Sequence, residues 1–201
     1  MKYSNLITLA SYFYKEAKSE IKKIELLRLL SNPKKSFGII SAYRQADDEM
    51  HDLLINKLID LNLLHQEIQG QWFGQQYGEK SILIPNIDFN ILIKLGKLLD
   101  QDAVIYKSKE GVIAMYYLHN NTAEVAIPTD GNPSCQIISN KDGKRHFPQQ
   151  KNTSPSIEKG LWSATKDLSF KFNFLQERKI PWKDENPITK NQYLKLLKTS
   201  H

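Results

Sequence analysis

Apolar and polar positions along this chain follow two different periods, and the change of period divides it into regions. Between Ser4 and Asn32 there is no Gly or Pro. The apolar residues of this stretch recur every three or four positions. This spacing is typical of an amphipathic helix and predicts one long N-terminal helix, or two helices broken near residues 18–19. The apolar positions, three or four residues apart, are Leu6, Leu9, Tyr12 or Phe13, Ala17, Ile21, Ile24, Leu27 and Leu30.

The next region alternates predicted strands and helices. Short apolar runs bounded by turn residues predict core strands at Phe37–Tyr43 and Ser81–Ile84. After each strand, apolar residues at helical spacing predict a helix, at Ala46–Leu64 after the first and at Ile87–Leu99 after the second. The segment between, Gln69–Tyr77, is predicted as a short strand or a hairpin arm.

After residue 100 the pattern becomes that of strands. Ala103–Ser108 and Val112–Leu118 flank a Lys-Glu-Gly turn and predict a hairpin, and Ala123–Ile127 adds a third strand. Four prolines and little periodicity then predict an irregular loop region from Pro128 to Lys166. Phenylalanines alternate with polar residues in Leu168–Phe174, which indicates a half-buried strand, and a terminal helix is expected at residues 189–198.

These elements predict an α+β fold. We expect a mixed or antiparallel sheet with a β-meander in the C-terminal half, flanking helices and the long N-terminal helix. The expected organisation is an amphipathic helical segment (1–33), an α+β core (34–127), an irregular region (128–167), and a strand and terminal helix that complete the core (168–201).

Composition narrows the functional classes. The single cysteine, Cys135, excludes an intramolecular disulfide and a cysteine-rich zinc site, and favours a reducing, cytoplasmic setting. No stretch approaches the ~20 apolar residues of a membrane span, and no secretory signal is expected. The net charge of +6 is spread among interleaved acids and bases, which favours solubility over a nucleic-acid surface. We find no metal-ligand spacing, activated nucleophile or phosphate loop, so no cofactor is expected.

Candidate chemistry lies at the ends of the predicted strands. Tyr43 and Arg44 end the first strand, where the guanidinium could hold a phosphate or carboxylate. An ordinary ion pair with the acids at 47–49 is the favoured alternative. Glu79 and Ser81 share one face of a strand because Lys80 between them points to the other. An exposed strand end is again the favoured alternative.

Gln101 precedes the strand that Tyr106 closes. The candidate catalytic residues are therefore Arg44, Glu79, Ser81 and Gln101, and the candidate ligand-binding residues are Tyr43, Arg44 and Tyr106. This order of an arginine, a serine and a Gln or Glu resembles ADP-ribosyltransferases in residue types, although not in spacing. The resemblance implies an NAD-type ligand.

A second resemblance covers about Phe37–Tyr106. Ala42-Tyr43, a helix, Gly70, Glu79-Lys80-Ser81, another helix, and Gln101 before Ala-Val-Ile-Tyr resemble a family of small bacterial and phage proteins of unknown function. Arg44 departs from that pattern, where the family has Asn. The resemblance implies a bacterial or phage setting, and a virion location if the chain is phage-encoded, but it implies no activity.

Three functions remain open. The first is a non-enzymatic interaction protein that docks on another protein through Leu6, Leu9, Tyr12 and Phe13. The second is a small enzyme acting on a nucleotide-like ligand, which requires its four candidate side chains to converge in one cleft. The third is a nucleic-acid accessory protein that combines lysines and arginines with stacking aromatics. Those aromatics are Trp72, Phe73, Tyr77, Tyr116 and Tyr117.

Overall fold

A computed structural model describes residues 23–42, 48–72, 78–128, 134–139, 157–165, 168–175, 178–183 and 186–198. Within these ranges the helices are α1 (Lys23–Ser31), α2 (Asp48–Asp60), α3 (Phe89–Leu98) and α4 (Lys190–Lys198). The strands in the same ranges are β1 (Phe37–Ile40), β2 (Gln66–Trp72), β3 (Glu79–Pro85), β4 (Ala103–Lys107), β5 (Ile113–Tyr117), β6 (Thr122–Val125), β7 (Cys135–Ser139), β8 (Ile157–Thr165), β9 (Leu168–Leu175) and β10 (Ile180–Pro181).

These strands form one antiparallel sheet that curves into a half-barrel. Its order is β10-β6-β5-β4-β1-β3-β2-β8-β9-β7. The curvature brings β6 back to β9, where the amide of Ile127 donates to the carbonyl of Asn173 at 2.9 Å. Phe37 on β1 and Phe172 on β9 lie four places apart in the sheet, yet their rings stack with centroids 6.3 Å apart. The face that carries these two rings is therefore the concave, inner face.

The inner face is packed with apolar side chains and closed at one end by α1. Leu26, Leu29 and Leu30 of α1 belong to its core. The ammonium of Lys107, buried at the end of β4, donates to the carbonyls of Leu29 (3.3 Å), Leu30 (3.4 Å) and Asn32 (2.6 Å). A cation at a helix C-terminus satisfies carbonyls that have no partner in the helix and complements its dipole. This contact fixes α1 to the sheet.

The outer face is covered by α2 and α3. Leu54 and Leu58 of α2 and Leu92 of α3 are buried in its core. Asp88 caps α3, since its carboxylate accepts from the amides of residues 90 and 91. The ring of Phe89 packs against three other aromatic rings of this core, those of Tyr106, Tyr116 and Trp182.

The predicted α+β fold is wrong, because the molecule is mostly β. The β-meander is present as β4–β5–β6, and helices flank the sheet, but they are short. The sheet extends well beyond the meander on the side of β1, β3 and β2. Apolar runs identify single strands, but pairing between strands distant in sequence leaves no local signal.

Two other expectations concern particular segments. The structure has strands β7 and β8 within 128–167, which was expected to be irregular. Gln69–Tyr77 was expected to be a strand or hairpin arm, and β2 in fact runs from Gln66 to Trp72. A long N-terminal helix is not supported: α1 spans nine residues, and the proposed docking residues Leu6, Leu9, Tyr12 and Phe13 lie outside the described residues. In the described ranges, no helix has the length and apolar character needed to cross a membrane.

Candidate functional site

A cavity of about 340 Å³ lies on the inner face, at the end opposite α1. Strands β1 to β5 and β8 contribute to its wall. Its polar side chains are Ser41, Glu79, Ser81, Gln101 and Asp102, and its aromatic side chains are Trp72, Tyr117 and Trp162. Three of the four candidate catalytic residues, Glu79, Ser81 and Gln101, therefore line one cavity.

The antiparallel pairing of β1 with β3 and β4 brings the polar residues together. Ser41 comes directly after β1, and Gln101 and Asp102 come directly before β4. Because β1 and β4 run in opposite directions, the end of one lies beside the start of the other. Glu79 and Ser81 are alternate residues at the start of β3, so both point to the inner face.

Glu79 is the ionisable group most perturbed by this environment. Burial raises the pKa of its carboxyl above the ordinary value of 4.5, and the nearby Asp102 carboxylate raises it further. A hydrogen bond with Ser41 opposes the shift. The Ser41 hydroxyl has one proton, for which the carbonyl of Lys80, 2.8 Å from the Ser41 oxygen, competes with Glu79. A carboxyl that holds its proton more strongly than usual, beside a hydroxyl, is suited to proton transfer.

Ser81 and Gln101 present polar groups that the protein hardly exposes to solvent. Ser81 is 4% exposed and Gln101 is 7% exposed. The amide nitrogen of Gln101 donates to the carbonyl of Leu99 at 3.3 Å, which orients the side chain. The Ser81 side chain lines the cavity, where its hydroxyl can donate to or accept from a bound molecule.

The aromatic wall is built around Trp162 on β8. Two glycines leave room for its indole: a Cβ at Gly70 would lie 2.7 Å from Nε1, and a Cβ at Gly160 would lie 2.2 Å from the far edge of the ring. The indole therefore spans the surface of β2 and β8. Trp72 stands almost perpendicular to it, with an interplanar angle of 85° and centroids 5.3 Å apart.

The other predicted site residues are placed elsewhere. Tyr106 lies on the outer face, where its ring packs against Phe89 with centroids 5.1 Å apart, so it does not reach the cavity. The reason is strand pleating: its neighbour Ile105 occupies the inner face. Tyr43 and Arg44 lie outside the described residues.

Sequence reasoning missed part of the site. Ser41 directly follows β1, a position where polar residues often serve a site, but the predicted strand extended to Tyr43 and placed Ser41 inside it. Trp162 gave no usable signal because it lies in a segment expected to be irregular. Trp72 and Tyr117 were considered as base-stacking or core residues and not as part of this site, although each ends a strand of the inner face.

Metal binding receives no support from the described ranges. They contain no group of three His, Cys, Asp or Glu side chains that could hold a metal ion. The imidazole of His51 on α2 is buried and lies 3.1 Å from the exposed carboxylate of Glu67 on β2. This pair joins a helix to the outer face of the sheet, away from the cavity.

No family model matches the sequence, and no match is found among the curated proteins. The resemblance to small bacterial and phage proteins over Phe37–Tyr106 accordingly stays a prediction.

Proposed function

We propose that this chain binds a small organic ligand in the inner-face cavity. The observation that carries the proposal is that the Ser81 hydroxyl and the Gln101 amide, both more than nine-tenths buried, line the cavity together with Glu79. Burying polar side chains is unfavourable unless they find partners. A ligand supplies those partners.

The size and the walls of the cavity favour a planar ring. A volume of about 340 Å³ falls at the lower end of the range for small-molecule sites, which suits one or two fused rings. Trp72, Tyr117 and Trp162 offer aromatic surfaces, and stacking of a ring on such a surface contributes about 1–3 kcal/mol. The polar side chains that line the cavity can form hydrogen bonds with groups on the edge of the ring. A nucleobase-type ring satisfies both requirements.

Acid–base catalysis on such a ligand is a second candidate, favoured by one observation. Glu79 has a raised pKa and contacts the Ser41 hydroxyl, so its carboxyl is placed to exchange a proton with a ligand. This is the hypothesis of an enzyme that acts on an NAD-type or nucleotide-like ligand. It is restricted here to the three candidate residues that the structure describes, Glu79, Ser81 and Gln101. Its fourth residue, Arg44, lies outside them.

The two other hypotheses rest on different residues. Docking through Leu6, Leu9, Tyr12 and Phe13 stays a prediction. For the nucleic-acid role, Tyr116 is only 1% exposed and packs against Trp182, so it offers no face to a base. Phe73 and Tyr77 lie outside the described residues, which leaves the aromatic set of that proposal incomplete.

The test is ligand-observed NMR with adenine, cytosine, uracil and nicotinamide at millimolar concentration. We expect saturation transfer to at least one ring in the wild type, reduced in Ser81→Ala and in Gln101→Leu. Ser31→Ala, at an exposed position on α1, is the matched control and should bind like the wild type. Equal binding by the cavity variants and the wild type, or no binding of any ring, would overturn the proposal.

A further inference from the structure

The charge of the inner-face cavity differs in sign from that of the chain. The protein carries a net charge of +6, yet Glu79 and Asp102 are the charged side chains among the described residues that line the cavity, and none of those residues is basic. The acidic character is therefore local to the site. A ligand that enters meets two carboxyl groups close enough to influence each other.

The basic side chains near this region already have partners. The ammonium of Lys80 pairs with Asp48 on α2, and Nε2 of His119 lies 3.3 Å from the exposed carboxylate of Asp102. Lys179 lies over the ring of Tyr117, with its Nζ 4.6 Å from the ring centroid, and 3.8 Å from Glu124. The Tyr117 contact shows that an aromatic side chain of this site attracts a cation.

We propose that the cavity is specific for a cationic planar ligand, an amidinium, guanidinium or protonated aminoheterocycle. This inference rests on the proposed ligand-binding function and adds the charge of the ligand. Glu79 and Asp102 pair with the positive group, the Ser81 hydroxyl and the oxygen of the Gln101 amide accept from its N–H groups, and the tryptophans flank the ring.

The same arrangement excludes anions. A phosphate or carboxylate placed in the cavity would be repelled by the half-buried carboxyl of Glu79 and by the exposed carboxylate of Asp102. If the ligand is part of a nucleotide, its phosphates stay outside and only its ring enters. A neutral ring is accepted, but it leaves Glu79 without an ionic partner and so binds more weakly.

The test compares three isosteres that differ only in charge: benzamidine, benzamide and benzoate. Dissociation constants are measured by NMR titration at pH 7.5 with full-length protein. We expect benzamidine to bind at least about tenfold more tightly than benzamide, and benzoate not to bind. Glu79→Gln should remove most of this preference. Glu25→Gln, at an exposed position of α1, should keep the preference intact.

The outcomes separate the two proposals. If benzamide binds as well as benzamidine, and both are weakened by Ser81→Ala, the cavity binds ligands but the charge preference is wrong. If benzoate binds best and is lost in Arg44→Gln, the site selects anions and the inference is overturned. If none of the three binds, the inference is overturned, and the base and nicotinamide panel then decides the proposed function separately.

Discussion

Trp162 and Gly70 face each other directly across β8 and β2, and the indole occupies the space where a side chain on residue 70 would begin. A Cβ there would lie 2.7 Å from Nε1 and 3.0 Å from Cδ1. The Ser81 hydroxyl would be 3.4 Å from the same Cβ. The glycine therefore sets both the position of the aromatic wall and its distance from the polar wall.

Gly70→Ala should destabilise the protein and weaken ligand binding together. The added methyl group at residue 70 displaces the rigid indole of Trp162. Because the other end of the indole lies against Gly160, the displacement is toward the cavity. Overpacking of this kind costs about 1–3 kcal/mol. Urea unfolding gives the stability change, and NMR titration gives the affinity.

Gly78→Ala is the matched control for that prediction. The closest atoms to its Cβ belong to the flexible side chain of Gln69, which can move aside. We expect a stability change within about 0.5 kcal/mol. Equal losses in the two variants would show that the position of the indole is not what matters at Gly70.

The stability of the wild type relative to Glu79→Gln should fall as the pH rises. Because burial raises the pKa of Glu79 in the folded state, its contribution is fully present below the ordinary value of 4.5. It is lost as the pH rises through the folded-state value, since ionisation then costs more in the protein than in the unfolded chain. Urea unfolding from pH 4 to pH 8 measures the difference. A difference that grows with pH would contradict the burial argument.

Lys107→Met should loosen α1. The variant keeps the aliphatic length but leaves the carbonyls of Leu29, Leu30 and Asn32 without their ammonium donor. We expect a loss of about 2 kcal/mol, with faster amide exchange in α1. Lys109→Met, at an exposed turn, should change the stability by no more than about 0.5 kcal/mol. Unchanged exchange in α1 would mean that its leucines alone hold it.

Cys135 should react slowly with iodoacetamide in the native protein. Burial raises the pKa of its thiol to about 12, although the neighbouring Lys107 opposes the shift. Only the thiolate reacts, so alkylation at pH 8 should be on the order of a hundredfold slower than that of a free thiol. Because the chain has one cysteine, intact-mass spectrometry reads the rate directly. Alkylation as fast as in the urea-unfolded chain would contradict the burial.

How far the sequence predicted the fold depended on whether the signal was local. The hairpin of β4 and β5 was predictable because a turn lies between two apolar runs. By contrast, β8 contains Glu158, Lys159 and Gly160 beside its apolar residues, and its pairing with β2 joins segments far apart in sequence. No property of either segment alone indicates that contact.

The site was predictable to the same extent. Glu79 and Ser81 could be placed on one face by strand pleating, and Gln101 could be placed beside them if its strand was a neighbour. Tyr106 was misplaced because the register of β4, which decides its face, depends on the whole sheet. Trp162 could not have been found without knowing that β8 pairs with β2.

The position of β8 in the sheet also has a consequence during synthesis. Among the described strands, β1 to β6 pair with one another, but the outer edge of β6 pairs with β10 and the outer edge of β2 pairs with β8. That partner emerges about ninety residues later, which at roughly 5–20 residues per second takes several seconds. Until then the nascent chain exposes an unpaired strand edge next to apolar surface, the kind of edge that recruits other chains. Chains truncated before residue 157 should therefore associate with one another through β2.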